Sequence, residues 1–88
     1  MHEHPHSAIA RRLKRANGHL ETIIEMIEQS RPCAQIAQQL QAVESAIESA
    51  KKALIHDHIS HGLERSLETS GAKGRAALRD FRSVAKYL

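Results

Sequence analysis

The stretch CAQIAQQLQAVESAIESAKKALIHDHISHGLERSL, residues 33–67, decides the fold. Its apolar residues fall at Ile36, Leu40, Val43, Ile47, Ala50 and Leu54, in steps of four and three. That alternation is a heptad seam along an amphipathic helix, since residues three and four apart share a helical face. Nothing interrupts the pattern before Gly62, and helix is expected to about Leu67. At 1.5 Å per residue, such a helix is ~45 Å long or more and cannot bury its seam inside so small a protomer.

Working back from this helix, Ser30-Arg31-Pro32 breaks the chain, because proline suits the first position of a new helix. The segment before it, from Ser7 to Ser30, repeats the seam with Ile9, Leu13, Ala16, Leu20, Ile23 and Ile27. Ser7 is the expected N-cap. Gly18 interrupts this helix, and close approach of another backbone would explain it. Residues 1–6 read as a flexible histidine-rich arm, kept out of the helix by Pro5. Working forward, residues 68–74 read as a turn or frayed end. A short third helix then follows, with Leu78, Phe81, Val84, Ala85 and Leu88 on one face. The expected architecture is all-α. Residues 7–88 form a single domain of three helices per protomer, and two long helices from two chains pack antiparallel with the first helices in a four-helix bundle.

Composition narrows the function. The chain has 88 residues, a formal net charge of +3 and a single cysteine, Cys33. A disulfide framework is impossible, and a lone thiol fits a reducing compartment. There is no signal-peptide pattern at the start and no apolar run that could span a membrane, so a cytoplasmic location and no membrane partner are expected. With one Tyr, one Phe and no Trp, the chain lacks the aromatic platforms used to stack single-stranded bases. Nothing suggests pocket-forming loops around a general base, so the chain is read as a non-enzyme.

Seven histidines are many for this length, and their placement matters more than their number. Cys33 lies one helical step before Ile36, and His58 one step after Leu54, so the ends of one seam carry a thiol and an imidazole. His61 follows three residues later. Each alone is most often a packed or solvated side chain; together they form a donor set suited to borderline-soft ions. Cys33 and His58 stand 25 residues apart (58 − 33), ~37 Å along a straight helix. Metal–ligand bonds of ~2.0–2.3 Å cannot bridge that gap within one chain. An antiparallel partner reverses the order and brings Cys33 of one chain toward His58 of the other.

The basic residues Arg11, Arg12, Lys14 and Arg15 cluster within two turns of the first helix, Lys51 and Lys52 sit midway along the second, and Lys73, Arg75, Arg79, Arg82 and Lys86 dominate the third. Charge on a helix is usually a solvated face. In a symmetric oligomer these side chains would merge into surfaces able to contact the phosphates of double-stranded DNA.

Arg12-x-x-Arg15-x-x-Gly18-His19, Cys33, Gln38-Gln39-Leu40-x-Ala42-Val43 and Leu54-x-x-x-His58 together resemble the CsoR/RcnR family of metal-sensing repressors, over about residues 9–88. The arm and the Leu54–His58 stretch look most like its nickel/cobalt branch. The resemblance implies a homodimer or homotetramer of three-helix protomers. It would bind operator DNA in the apo state and release it on binding an effector, Ni(II) or Co(II) rather than Zn(II) or Cu(I). The family's cysteine and histidine ligands map to Cys33 and His58, and its basic DNA-contacting positions to Arg12, Arg15 and Lys52, with Lys14 beside them. In nickel/cobalt sensors an N-terminal histidine joins the metal; His2 and His4 are the nearest candidates. One departure stands out: the family's third ligand, four residues after His58, is Gly62 here. His61 is rotated by ~100° and reaches that place only if the helix loosens at Gly62. Two readings follow. Either His2, His4 or His61 fills the vacancy in a Ni(II)/Co(II) site, or the chain resembles the formaldehyde-sensing FrmR branch, with Cys33 as the nucleophile.

Overall fold

A computed structural model describes residues 6–68 and 71–88, with side chains described for all of these except 63–68, 72 and 73. Three helices follow one another, α1 (Ser7–Glu28), α2 (Cys33–Glu68) and α3 (Ala72–Ala85), and no strand occurs among the described residues. The three-helix, all-α reading therefore holds. The chain divides into two compact units, residues 1–50 and 51–88.

In the first unit, α1 packs on the first half of α2. The heptad seam proves to be two stripes. Ile9, Ala16 and Ile23 of α1, seven residues apart, are buried together with Val43 and Ala50 of α2. The residues between them, Leu13, Leu20, Ile27, Leu40 and Ile47, stay exposed, Leu20 at 38% and Ile47 at 47%. One protomer uses half of its seam, because a pair of helices can enclose only the stripe that lies between them. Leu13, Ala16, Asn17, Leu20, Val43 and Ile47 line an open groove along this face.

The α1–α2 connection is set by main-chain bonds. Gln29 caps α1, Ser30 takes a positive φ of 55°, the Ser30 N–H donates to Ile27 O at 3.0 Å, and the Arg31 N–H donates to Met26 O at 3.0 Å. These paired bonds form a Schellman motif, with serine in the left-handed position usually held by glycine. Pro32 then precedes α2 rather than opening it, and its carbonyl accepts from the Gln35 and Ile36 N–H groups. Two expectations shift by one residue. His6, not Ser7, occupies the N-cap of α1, with no side-chain cap bond; its carbonyl accepts from the Ala10 N–H at 2.9 Å. Within the protomer no described backbone approaches Gly18, since a Cβ built there meets nothing within 4 Å.

In the second unit, the rest of α2 packs on α3. Gly71, at φ 72°, begins α3, and the Arg75 N–H donates to its carbonyl at 3.1 Å. The turn expected over 68–74 is shorter than the sequence suggests. Ala72, Lys73 and Gly74 already belong to α3, and Gly71 supplies a left-handed backbone just before it. Residues 69 and 70 lie outside the described residues.

Candidate metal centre and nucleic-acid interface

His58 is the best-defined polar group of the second unit. Its Nε2–H donates to the Asp80 carboxylate across from α3. A carboxylate can only accept, so this bond places the ring proton on Nε2. In the neutral ring, Nδ1 then keeps the free lone pair that a metal requires. Metal-bound histidines commonly have a carboxylate on the other ring nitrogen, which fixes both tautomer and orientation. The pair borders a cleft of about 160 Å³ lined by His58, Ile59, Gly62, Ala77, Leu78, Asp80 and Phe81. Gly62 contributes no side chain to it, and a Cβ there would meet nothing within 4 Å. Asp80 was not singled out from the sequence. Its one signal was being the lone acidic residue of α3, among Arg75, Arg79 and Arg82.

His61 is exposed and does not line that cleft. Its Nδ1–H donates to Asp57 O, one turn back on its own helix, at 2.7 Å. The helix runs through Gly62 to Glu68, and His61 stands on it one turn beyond Asp57. His56 lies 3.9 Å from the Asp57 carboxylate and is largely exposed. His2 and His4 fall outside the described residues.

Cys33 is the first residue of α2 and is exposed as a free thiol. Cys33 and His58 share one helix without a break between them. Among the described residues no three His, Cys, Asp or Glu side chains come together in a way that could hold a metal. The donor types fit a borderline-soft divalent ion, and His58 is oriented as a metal ligand would be. A four-coordinate site still needs ligands from outside the described protomer.

Arg12, Lys14 and Arg15 are exposed on α1, and Lys52 is exposed on α2. Arg12 and Arg15 are three residues apart and share a helical face. His19 ties α1 to α2: its Nε2–H donates to Gln39 Oε1 at 2.6 Å. The second glutamine of the Gln38-Gln39 pair thus acts within the first unit as a link between helices.

The chain as a whole has counterparts among known proteins. A family described as metal-sensitive transcriptional repressor matches residues 5–86. The chain belongs to this family. Members of this repressor family with similar sequences include the copper-sensing transcriptional repressor CsoR of Mycobacterium ulcerans (strain Agy99), 34% identical over 80 residues. That alignment covers 91% of this chain and 67% of the relative, so the chain spans about two thirds of that protein's length. The copper-sensing repressor RicR of Mycobacterium tuberculosis (strain ATCC 25618 / H37Rv) is 36% identical over 70 residues, covering 77% of this chain and 73% of RicR. CsoR of Bacillus subtilis (strain 168) is 31% identical over 78 residues, covering 89% and 75%. Among solved structures, the nickel-responsive transcriptional regulator InrS superposes with a TM-score of 0.80 over 99% of this chain and 100% of its own. At 23% identity this likeness speaks to the fold alone. The family's described role is repression of transcription, not catalysis. No helix among the described residues is long and apolar enough to cross a membrane.

Proposed function

We propose that the chain is a cytoplasmic repressor that binds operator DNA in the apo state and releases it when Ni(II) or Co(II) binds, derepressing efflux genes. Cys33 of one subunit and His58 of another would supply the ligands, with His2, His4 or His61 completing the sphere. Arg12, Lys14, Arg15 and Lys52 would contact operator phosphates. The exposed stripe of Leu13, Leu20, Ile27, Leu40 and Ile47 supports a homodimeric or homotetrameric state, because a second copy of the same stripe would cover it.

The observation that carries the choice of metal is Gly62 at the cleft beside His58. Cu(I) favours soft thiolate ligands. With Cys33 the only cysteine, one subunit cannot offer a second thiolate. A nitrogen-rich sphere suits Ni(II) or Co(II) better, although the CsoR and RicR relatives are copper-sensing. The exposed, free Cys33 favours one alternative, a formaldehyde-responsive repressor in which this thiol is the nucleophile.

A gel-shift titration on DNA upstream of the chain's own gene separates these readings. Nickel is expected to release the wild-type protein at stoichiometric amounts, with formaldehyde inert. Cys33→Ala and His58→Ala are expected to bind DNA normally and to ignore nickel. Release by Cu(I) alone would overturn the metal assignment, and release by formaldehyde alone would make Cys33 a nucleophile. A normal nickel response in either variant would remove that residue from the site.

A further inference from the structure

Residues 71–88 hold five basic residues, Lys73, Arg75, Arg79, Arg82 and Lys86, against one acidic residue, Asp80. This tail has a net charge of +4, whereas the whole chain has +3. All of the chain's excess positive charge therefore resides in and around α3. Arg75, Arg79, Arg82 and Lys86 follow in steps of four, three and four. At 100° per residue they fall within about 60° of one another around the helix. All four are exposed. Among the described residues no ion pair is formed by Arg75, Arg79 or Arg82, and Asp80, the one nearby carboxylate, is engaged by His58. Lys86 lies over the Tyr87 ring at 5.2 Å.

We infer that Arg75, Arg79 and Arg82 form a phosphate-contacting surface for duplex DNA, in addition to the basic cluster on α1. This rests on the repressor reading above. A single-sign stripe without neutralising partners is costly unless a polyanion or its counterions face it, and arginine's planar fork suits phosphate oxygens. From Arg75 to Arg82 the helix rises ~10 Å. Duplex DNA presents a charge about every 1.7 Å of its axis, so that length faces about six phosphates. An anionic membrane is the competing partner, because basic amphipathic helices also bind lipid by their apolar face. Here that face lines the cleft on α2: Ala77, Leu78 and Phe81 border it with His58, Ile59 and Gly62, and Val84 lies by Leu54 and Ile55. Leu78 is 50% and Phe81 39% exposed, so the vesicle arm of the test below separates the two partners.

The test measures affinity for DNA upstream of the chain's own gene at several salt concentrations, with three proteins. These are the wild type, the triple variant Arg75→Gln/Arg79→Gln/Arg82→Gln, and the charge-keeping Arg75→Lys/Arg79→Lys/Arg82→Lys. Circular dichroism and sedimentation verify that the variants keep helix content and assembly. The glutamine variant is expected to bind at least about tenfold more weakly, with a log K against log salt slope shallower by about 2.7 for each contacting protomer. The lysine variant is expected to keep the wild-type slope. Unchanged affinity and slope in the glutamine variant would overturn this surface while leaving the repressor reading intact. Equal losses in both variants would make the stripe structural and also overturn it. Intact DNA binding by the glutamine variant, with loss of flotation on phosphatidylserine vesicles that the wild type binds, would assign the stripe to a membrane. Failure of the wild type itself to bind DNA would defeat the repressor reading, and this surface with it.

Discussion

The two units of the chain are held together by different means. The first, residues 1–50, encloses Ile9, Ala16, Ile23, Val43 and Ala50 and joins its helices with a neutral, part-buried bond from His19 to Gln39. The second, residues 51–88, buries Ile55 alone among the described residues and joins its helices with an exposed bond between an imidazole and a carboxylate. Burial of apolar surface offers no ligand to a metal ion, whereas an imidazole–carboxylate pair responds to a cation that competes for the imidazole. Apolar packing is thus concentrated in one region, and the polar link between helices in the other is one that a cation could compete for.

Substitutions can break or sharpen this contrast. The largest effect is expected from Ile23→Ala, at 1% exposure the most enclosed large side chain among the described residues, which should cost about 3 kcal/mol. Urea unfolding measures it, and a loss below about 1 kcal/mol would mean that the first unit is not the packed part. Asp80→Asn keeps an acceptor beside His58 but removes the charge. It should weaken nickel binding about 10- to 100-fold in chelator competition, with little change in the urea midpoint, because Asp80 is half exposed. Unaltered nickel affinity would leave the His58–Asp80 bond with only a packing role. Arg15→Ala, on the first unit, is the mirror case: operator affinity should fall up to about tenfold and the salt slope by about 0.9, with nickel affinity retained. A changed nickel affinity there would show that the two roles are not separate. The smallest effect concerns the His19–Gln39 bond. A double-mutant cycle with His19→Ala and Gln39→Ala should give a coupling near 1 kcal/mol, and a coupling of zero would leave the first unit held by its apolar stripe alone.

Much of the fold was legible because it rests on periodicity. The four–three spacing of Ile9 to Ile27 and of Ile36 to Leu54 identifies two helices, and Pro32 marks the break between them. The same spacing could not tell which half of the seam the protomer fills. Ile23 and Ile27 are equally apolar in sequence, and only the packing of α1 on α2 encloses one and leaves the other bare. Helix ends were less legible for a local reason. A histidine cap at His6 and a left-handed Ser30 depend on main-chain bonds rather than on residue type. The candidate site was half legible. Cys33 and His58 were marked by type and position, but Asp80 lies 22 residues from its partner in sequence. That contact arises only once α3 returns along α2.

The connection before Cys33 has a consequence for how this chain can vary. Ser30 and Arg31 close the end of α1 through their N–H groups, to Ile27 and Met26. Such bonds are blind to most side chains but strict about spacing. Replacing Ser30 by glycine, which takes the left-handed backbone without strain, should be tolerated or welcomed. Adding or deleting a single residue would unmake both bonds and re-aim the start of α2, and the thiol with it. Between α1 and α2, the lettering is free to drift while the count is not.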